Sequence, residues 1–224
     1  MSHPEIVTYP DREMMALSLA DRIATELRQN LDAIGATSLC VPGGSTPAAM
    51  FRALSDLPLD WGNVTVFLND ERWVDWDHPR SNSAMLRQTL LTGPAEAAQY
   101  LDLYTGAATP EVAAPDLAEK MQAHLPITVL VLGMGDDMHT ASLFPNAPGL
   151  DRLMAHDAPA VMAAGGGAEP RITLTAPALQ SALHTHIMIA GAEKRAALDT
   201  AIGADPADAP ISLFLRDATV HYAE

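Results

Sequence analysis

Thr128-Val129-Leu130-Val131-Leu132-Gly133-Met134-Gly135-Asp136-Asp137-Met138-His139 decides the fold: a short apolar run passes directly into a loop of glycines, acids and a histidine. A brief apolar stretch bounded by turn residues reads as a buried strand. Two earlier stretches repeat the design. Thr37–Val41 ends in Pro42-Gly43-Gly44-Ser45-Thr46-Pro47, with a helix expected over Pro47–Leu54. Val64–Leu68 ends in Asn69-Asp70-Glu71-Arg72, followed by a polar loop to Ser81 and Asn82 and a helix over Ser83–Leu91.

Asp11–Ile34 has helical periodicity, with Ala16, Leu19, Ala20, Ile23, Leu27 and Leu31 on one stripe and Asp11 placed to cap its start. Ala107–Pro115 reads as a connector, Asp116–His124 as a helix, and Val161–Pro170 as a glycine-rich surface loop. Arg171–Thr175, Thr185–Ala190 and Ala218–Tyr222 read as strands; Ala176–Ala182, Glu193–Ile202 and Ile211–Leu215 read as helical. Strands alternating with helices predict an α/β fold, a doubly wound and mostly parallel sheet with helices on both faces. Ligands of such sheets bind beyond the carboxyl ends of the strands, where the three polar clusters fall.

A chain of 224 residues, nearly half of them apolar, suits one domain over 1–224 with a sizeable core. Its one cysteine, Cys40, has no partner for a disulfide, lies in an apolar run and reads as a small buried hydrophobe. The N-terminal residues lack the pattern of a secretory signal, and no apolar run is long enough to span a bilayer, so a cytoplasmic protein is expected. The 13 basic and 28 acidic residues leave a net charge of −15. Such a surface repels nucleic acid and anionic membranes. An anionic metabolite needs cations gathered at one place, and the only lysines are Lys120 and Lys194.

Gly43, Gly44, Ser45 and Thr46 form a candidate phosphate cradle: glycines permit close backbone approach, and free amides at a helix start favour an anion. The spacing is neither a Walker loop nor a dinucleotide fingerprint. Taken alone it equally fits an ordinary strand–helix turn. Arg171 and Lys194 are candidate cations for the phosphate. His139 is the candidate base, a side chain able to take a proton from water near neutral pH, with Asp137 placed to orient it. The remaining histidines, such as His3, His78 and His156, read as surface or loop residues. Asp70 and Glu71, beside Arg72, are suited to holding sugar hydroxyls or positioning a base, while Arg72 or backbone amides near Gly133–Asp137 are suited to facing a developing oxyanion. No metal is expected, since no further ligand lies near Asp137 and His139, and no Ser-His-Asp triad is expected, since no Gly-x-Ser-x-Gly elbow is present.

These clusters, in this order, resemble the 6-phosphogluconolactonase family of the glucosamine-6-phosphate isomerase/6-phosphogluconolactonase superfamily. The resemblance rests on Gly43–Pro47, on Asp70–Val74 with Ser81-Asn82, on Gly135–Pro145 with its His-Thr-Ala-Ser-Leu-Phe-Pro run, on Arg171–Thr175 and on Gly191–Lys194. It implies a Rossmann-like fold of the sugar-phosphate isomerase type and no cofactor. The implied reaction is hydrolysis of a sugar-phosphate lactone in the oxidative pentose phosphate pathway. It also implies that Gly44–Thr46, Arg171 and Lys194 hold the phosphate. The partner is a small sugar phosphate, and the protein a monomer or small homo-oligomer. The related isomerases carry Asn-Glu-Pro after their histidine loop, where Ser142-Leu143-Phe144-Pro145 stands here. A sugar-sensing regulator would need a basic DNA-reading segment, which is missing. Met138 stands where the family usually has glycine; methionine favours negative φ, so a displaced His139, and with it a catalytically inactive binder, is the expectation if the loop requires positive φ.

Overall fold

The computed structural model describes residues 4–224, so His3 lies outside the described residues. The first elements are β1 (Glu5–Thr8), α1 (Arg12–Ile34), β2 (Thr37–Val41), α2 (Ala48–Ser55), β3 (Val64–Leu68), β4 (Asp70–Arg72) and α3 (Asn82–Thr89). They are followed by β5 (Gln99–Leu101), α4 (Pro110–Gln122), β6 (Val129–Leu132), α5 (Leu150–Met154), β7 (Val161–Ala164) and β8 (Arg171–Leu174). The last are α6 (Ala176–Gln180), β9 (His184–Ala190), α7 (Ala192–Ala201) and β10 (Ala218–Ala223). Seven strands form a parallel sheet in the order β1-β10-β9-β6-β2-β3-β5. From β2 the chain adds β3 and β5 on one side, then β6, β9 and β10 on the other. The direction reverses between β2 and β6, the place where doubly wound sheets bind ligands.

Strands β2 and β6 are buried along their whole length, as expected of strands covered on both faces. Helix α1 starts where Asp11 accepts a bond from the Met14 amide at 2.8 Å and ends at Gly35 in the left-handed conformation. Its buried stripe of Met15, Leu19, Ile23 and Leu27 packs on the sheet and α2. Cys40 is fully buried, and burial pushes its thiol pKa well up, in keeping with an inert packing residue.

Several expectations are corrected. Asp70–Arg72 does not prolong the strand before it. It leaves the parallel sheet and pairs antiparallel with Arg171–Leu174, forming a second sheet in the order β4-β8-β7. The stretch Val161–Pro170 is not all loop, because its first four residues form β7 through pairing with β8. Ala107–Pro115 is not all connector: Pro110 occupies the first turn of α4, and Pro115 lies inside that helix on its exposed side. The apolar face Ala113, Ala114, Leu117, Ala118 and Met121 outweighs the one bond that Pro115 cannot make. Ile211–Leu215 contracts to a 3₁₀ turn, Pro210–Leu213.

One polar chain crosses the core. Glu26 lies on the buried face of α1, and its Oε2 is 2.8 Å from His186 Nε2 of β9. His186 Nδ1 is 3.1 Å from His221 Nε2 of β10, and His221 Nδ1 is 2.9 Å from the Tyr9 hydroxyl. One direction along the chain satisfies every group: Tyr9 donates to His221, His221 to His186 and His186 to Glu26. Burial pulls the His221 pKa down from 6.5 to about 3, with the nearby His186 and Arg22 acting the same way and Glu26 opposing them. Burial pushes the Glu26 carboxyl up, but the bonds from His186 and Arg22 and the electrostatic pull of His186 and His184 outweigh it and leave it lowered.

The unfolded chain therefore takes up a proton below 6.5 that folded His221 refuses down to about 3. Stability contributed by this chain is complete above that window and lost as pH falls through it. Urea unfolding from pH 7 to pH 4 is expected to show a declining free energy, and His221→Gln, which keeps a donor and an acceptor but does not titrate, is expected to flatten the decline.

Candidate active site

A cleft of about 340 Å³ opens at the carboxyl ends of the central strands. The loop after β2 contributes Gly43, Gly44 and Thr46; Asn69, Asp70 and Arg72 follow β3; Gly133, Gly135 and His139 follow β6; Lys194 follows β9. Arg171 and Phe144 complete one wall.

His139 is held tightly. Its Nδ1 is 2.5 Å from Asp137 Oδ1, which also accepts from the His139 amide at 3.2 Å. The ring packs on Phe144 with centroids 4.5 Å apart. Fixing Nδ1 on a carboxylate leaves Nε2 as the nitrogen available for proton transfer. Burial pushes the Asp137 carboxyl up, but the bond and charge of His139 prevail and hold it below the usual range. Gly135 makes the arrangement possible: its amide donates to the His139 carbonyl at 2.8 Å, and a β-carbon on it would run into the His139 ring and the Asp137 carboxylate.

Met138 corrects the expectation that methionine keeps to negative φ. Its φ is +66°, the left-handed conformation itself, and His139 still lines the cleft. That backbone costs a non-glycine residue about 1–2 kcal/mol. Contacts secure it: the Met138 amide donates to Gly135 O at 3.0 Å, its carbonyl accepts from Ile211 N at 3.2 Å, and its side chain packs on the core. The 3₁₀ turn around Ile211 thus braces the histidine loop from beneath.

Strand alternation sorts the Asp-Glu-Arg block. Asp70 and Arg72 line the cleft; Glu71 points away and is fully buried, which corrects its expected place among substrate contacts. The Glu71 carboxylate accepts from the amides of Arg72, Asn82 and Ser83 at 2.7, 2.9 and 2.7 Å, so it anchors the start of α3. Burial raises its pKa more than these amides lower it. Asp70 Oδ2 accepts from Ser142 Oγ at 2.5 Å and Arg171 Nη1 at 3.2 Å, which draws the histidine loop and β8 together. Arg72 Nη1 donates to Arg80 O and Asn82 Oδ1, both at 2.9 Å, while its buried Nε has no partner among the described residues.

In the glycine loop, Gly44 has φ +88°, and the space a Gly43 side chain would take is filled by Asn82. The Gly44, Ser45 and Thr46 amides carry no hydrogen bond among the described residues. Thr46 lines the cleft; Ser45 is exposed beside it. Lys194 Nζ reaches the cleft but is paired with Asp136 Oδ1 at 2.8 Å. Among the described residues, no group of three or more His, Cys, Asp and Glu side chains could hold a metal ion. Asn82, Ser142 and Phe144 stand in the motifs read from the sequence but are given no place in the site there. A larger groove of about 860 Å³ between α4 and β7 is mainly apolar and has no basic residue in its lining.

A family model described as glucosamine-6-phosphate isomerases/6-phosphogluconolactonase matches residues 10–222, and the chain belongs to that family. A 6-phosphogluconolactonase of Pseudomonas aeruginosa is 43% identical over 214 residues, covering 92% of this chain and 90% of that protein. One from Rhizobium meliloti is 41% identical over 210 residues, covering 91% and 90%. The crystal structure of a 6-phosphogluconolactonase from Shewanella baltica matches with a TM-score of 0.96 at 31% identity, covering 100% of this chain and 99% of that one.

Gly135→Ala is expected to separate His139 from Asp137 and to lower turnover of the substrate proposed below by about 10²-fold or more. Steady-state kinetics, with circular dichroism to confirm folding, would check this.

Proposed function

We propose that this chain is an enzyme that hydrolyses 6-phospho-D-glucono-1,5-lactone to 6-phospho-D-gluconate, with His139 as the base. The observation that carries this reading is the cleft's pairing of a carboxylate-held histidine with Arg72, Arg171 and Lys194 in a chain of net charge −15. The 6-phosphogluconolactonases to which the chain is similar supply the substrate.

His139 Nε2 removes a proton from water as the water oxygen attacks the lactone carbonyl. The carbonyl π electrons move onto oxygen, and the resulting oxyanion faces Arg72, whose Nε is unpartnered. The carbonyl re-forms, the bond to the ring oxygen breaks, and His139 returns its proton to that oxygen as the C5 hydroxyl. Asp137 holds the ring and balances its charge while the proton is on it. The Gly44–Thr46 amides, Arg171 and Lys194 hold the phosphate, so binding energy far from the carbonyl orients it. Lys194 exchanges Asp136 for the phosphate on binding. Asp70 keeps Arg171 in place.

This reading takes residues 1–224 as one domain, a monomer or small homo-oligomer, working in the cytoplasm on a small sugar phosphate and not on nucleic acid. Lone buried Cys40 and the acidic surface support that setting, and no helix among the described residues is long and apolar enough to cross a membrane.

The test generates the lactone with glucose-6-phosphate dehydrogenase in mildly acidic buffer and follows phosphogluconate. Wild type is expected to accelerate ring opening, and His139→Ala to lose about 10²–10⁴-fold of the acceleration. Full turnover by His139→Ala, or none by wild type, would overturn the reading.

A further inference from the structure

The cleft floor contains an acceptor that neither the fold nor the chemistry above uses. Asn69 stands at the carboxyl end of β3, beside the reversal between β2 and β6. Its backbone is committed: the amide donates to Val41 O at 2.9 Å and the carbonyl accepts from Leu174 N at 2.8 Å. In the side chain, Nδ2 donates to Val131 O at 3.4 Å. That contact favours this orientation of the amide, because the flipped form would set Oδ1 towards a carbonyl oxygen. Asn69 is fully buried yet lines the cleft, and its Oδ1 has no partner among the described residues. A buried, unpaired carbonyl oxygen is unfavourable. Such a cost persists at binding sites, where a ligand relieves it.

The neighbouring polar groups leave this acceptor a distinct part to play. The Thr140 hydroxyl is spent on Gly133 O at 2.8 Å, and Asp70 is occupied by Ser142 and Arg171. Arginine and lysine side chains only donate. A polyhydroxylated anion bound here brings hydroxyl donors as well as acceptors. A neutral amide oxygen receives such a donor without setting another negative charge beside a phosphate.

We propose that Asn69 Oδ1 accepts a hydrogen bond from one ring hydroxyl of the bound lactone and makes Asn69 a specificity-determining residue; the inference rests on the lactonase reading. The experiment compares kcat/KM for the parent lactone and its 2-, 3- and 4-deoxy counterparts in wild type, Asn69→Ala and Asn69→Ser, together with melting temperatures. Wild type is expected to prefer the parent over one deoxy lactone by about 10-fold or more. Asn69→Ala is expected to abolish that preference at the one position and to lose about 10-fold on the parent. Its melting temperature is expected to change little, since the change removes an unpaired acceptor together with the long contact to Val131 O. The preference is a ratio within one preparation, so the serine variant reports it if the alanine variant folds poorly. Preferences unchanged at all three positions, with or without a lower melting temperature, would overturn the inference alone. A wild type that does not open the parent lactone would overturn the lactonase reading and this inference with it.

Discussion

The hydrogen bond from His139 Nδ1 to Asp137 Oδ1 is the constraint around which the cleft is arranged. Two side chains separated by a single residue can meet this closely only on a sharply turned backbone. The turn demands a residue without a β-carbon at Gly135, a left-handed conformation at Met138 and a donor beneath the Met138 carbonyl, supplied by Ile211. Each is locally unfavourable or restrictive, and the packed segment below holds all of them in place. Strain gathered at one loop is the expected companion of a fixed chemical geometry.

Around that loop the parallel sheet supplies placement and the small antiparallel sheet supplies connection. The reversal between β2 and β6 sets three strand ends side by side, each delivering a loop to the same opening. β4 carries Asp70 out of the large sheet to meet Arg171 on β8, and the carboxylate of Asp70 also receives Ser142 from the histidine loop. One buried acid thus ties together segments far apart in the chain. It also holds a guanidinium that would be costly to bury without a partner. Gathering Arg72, Arg171 and Lys194 at one opening gives an acidic protein a place where an anion is welcome.

Much of this was legible in the sequence, because buried strands of a parallel sheet are continuous apolar runs: Thr37–Val41, Val64–Leu68 and Thr128–Leu132 needed no tertiary information. The capped, amphipathic α1 was equally plain. β4 and β7 were not, since three or four residues carry no period and both exist by pairing with β8; Asp70 and Arg171 stand 101 positions apart. Pro115 hid the first half of α4 because local propensity argues against what the buried face then enforces. Glu71 looked equivalent to its neighbours until the strand's alternation turned it away from the opening. Glu26, His186 and His221 form their chain only once α1 lies across β9 and β10. Met138 shows the converse: a mismatch visible in sequence that packing absorbs.

The measurement that bears most directly on the Asp137–His139 pair is kcat/KM for the lactone in wild type and Asp137→Asn at a single pH. The asparagine variant should lose about 10²-fold or more, because a neutral amide does not balance the charge the ring gains when it takes the proton from water. A variant with wild-type activity would show that the pair does not carry the chemistry.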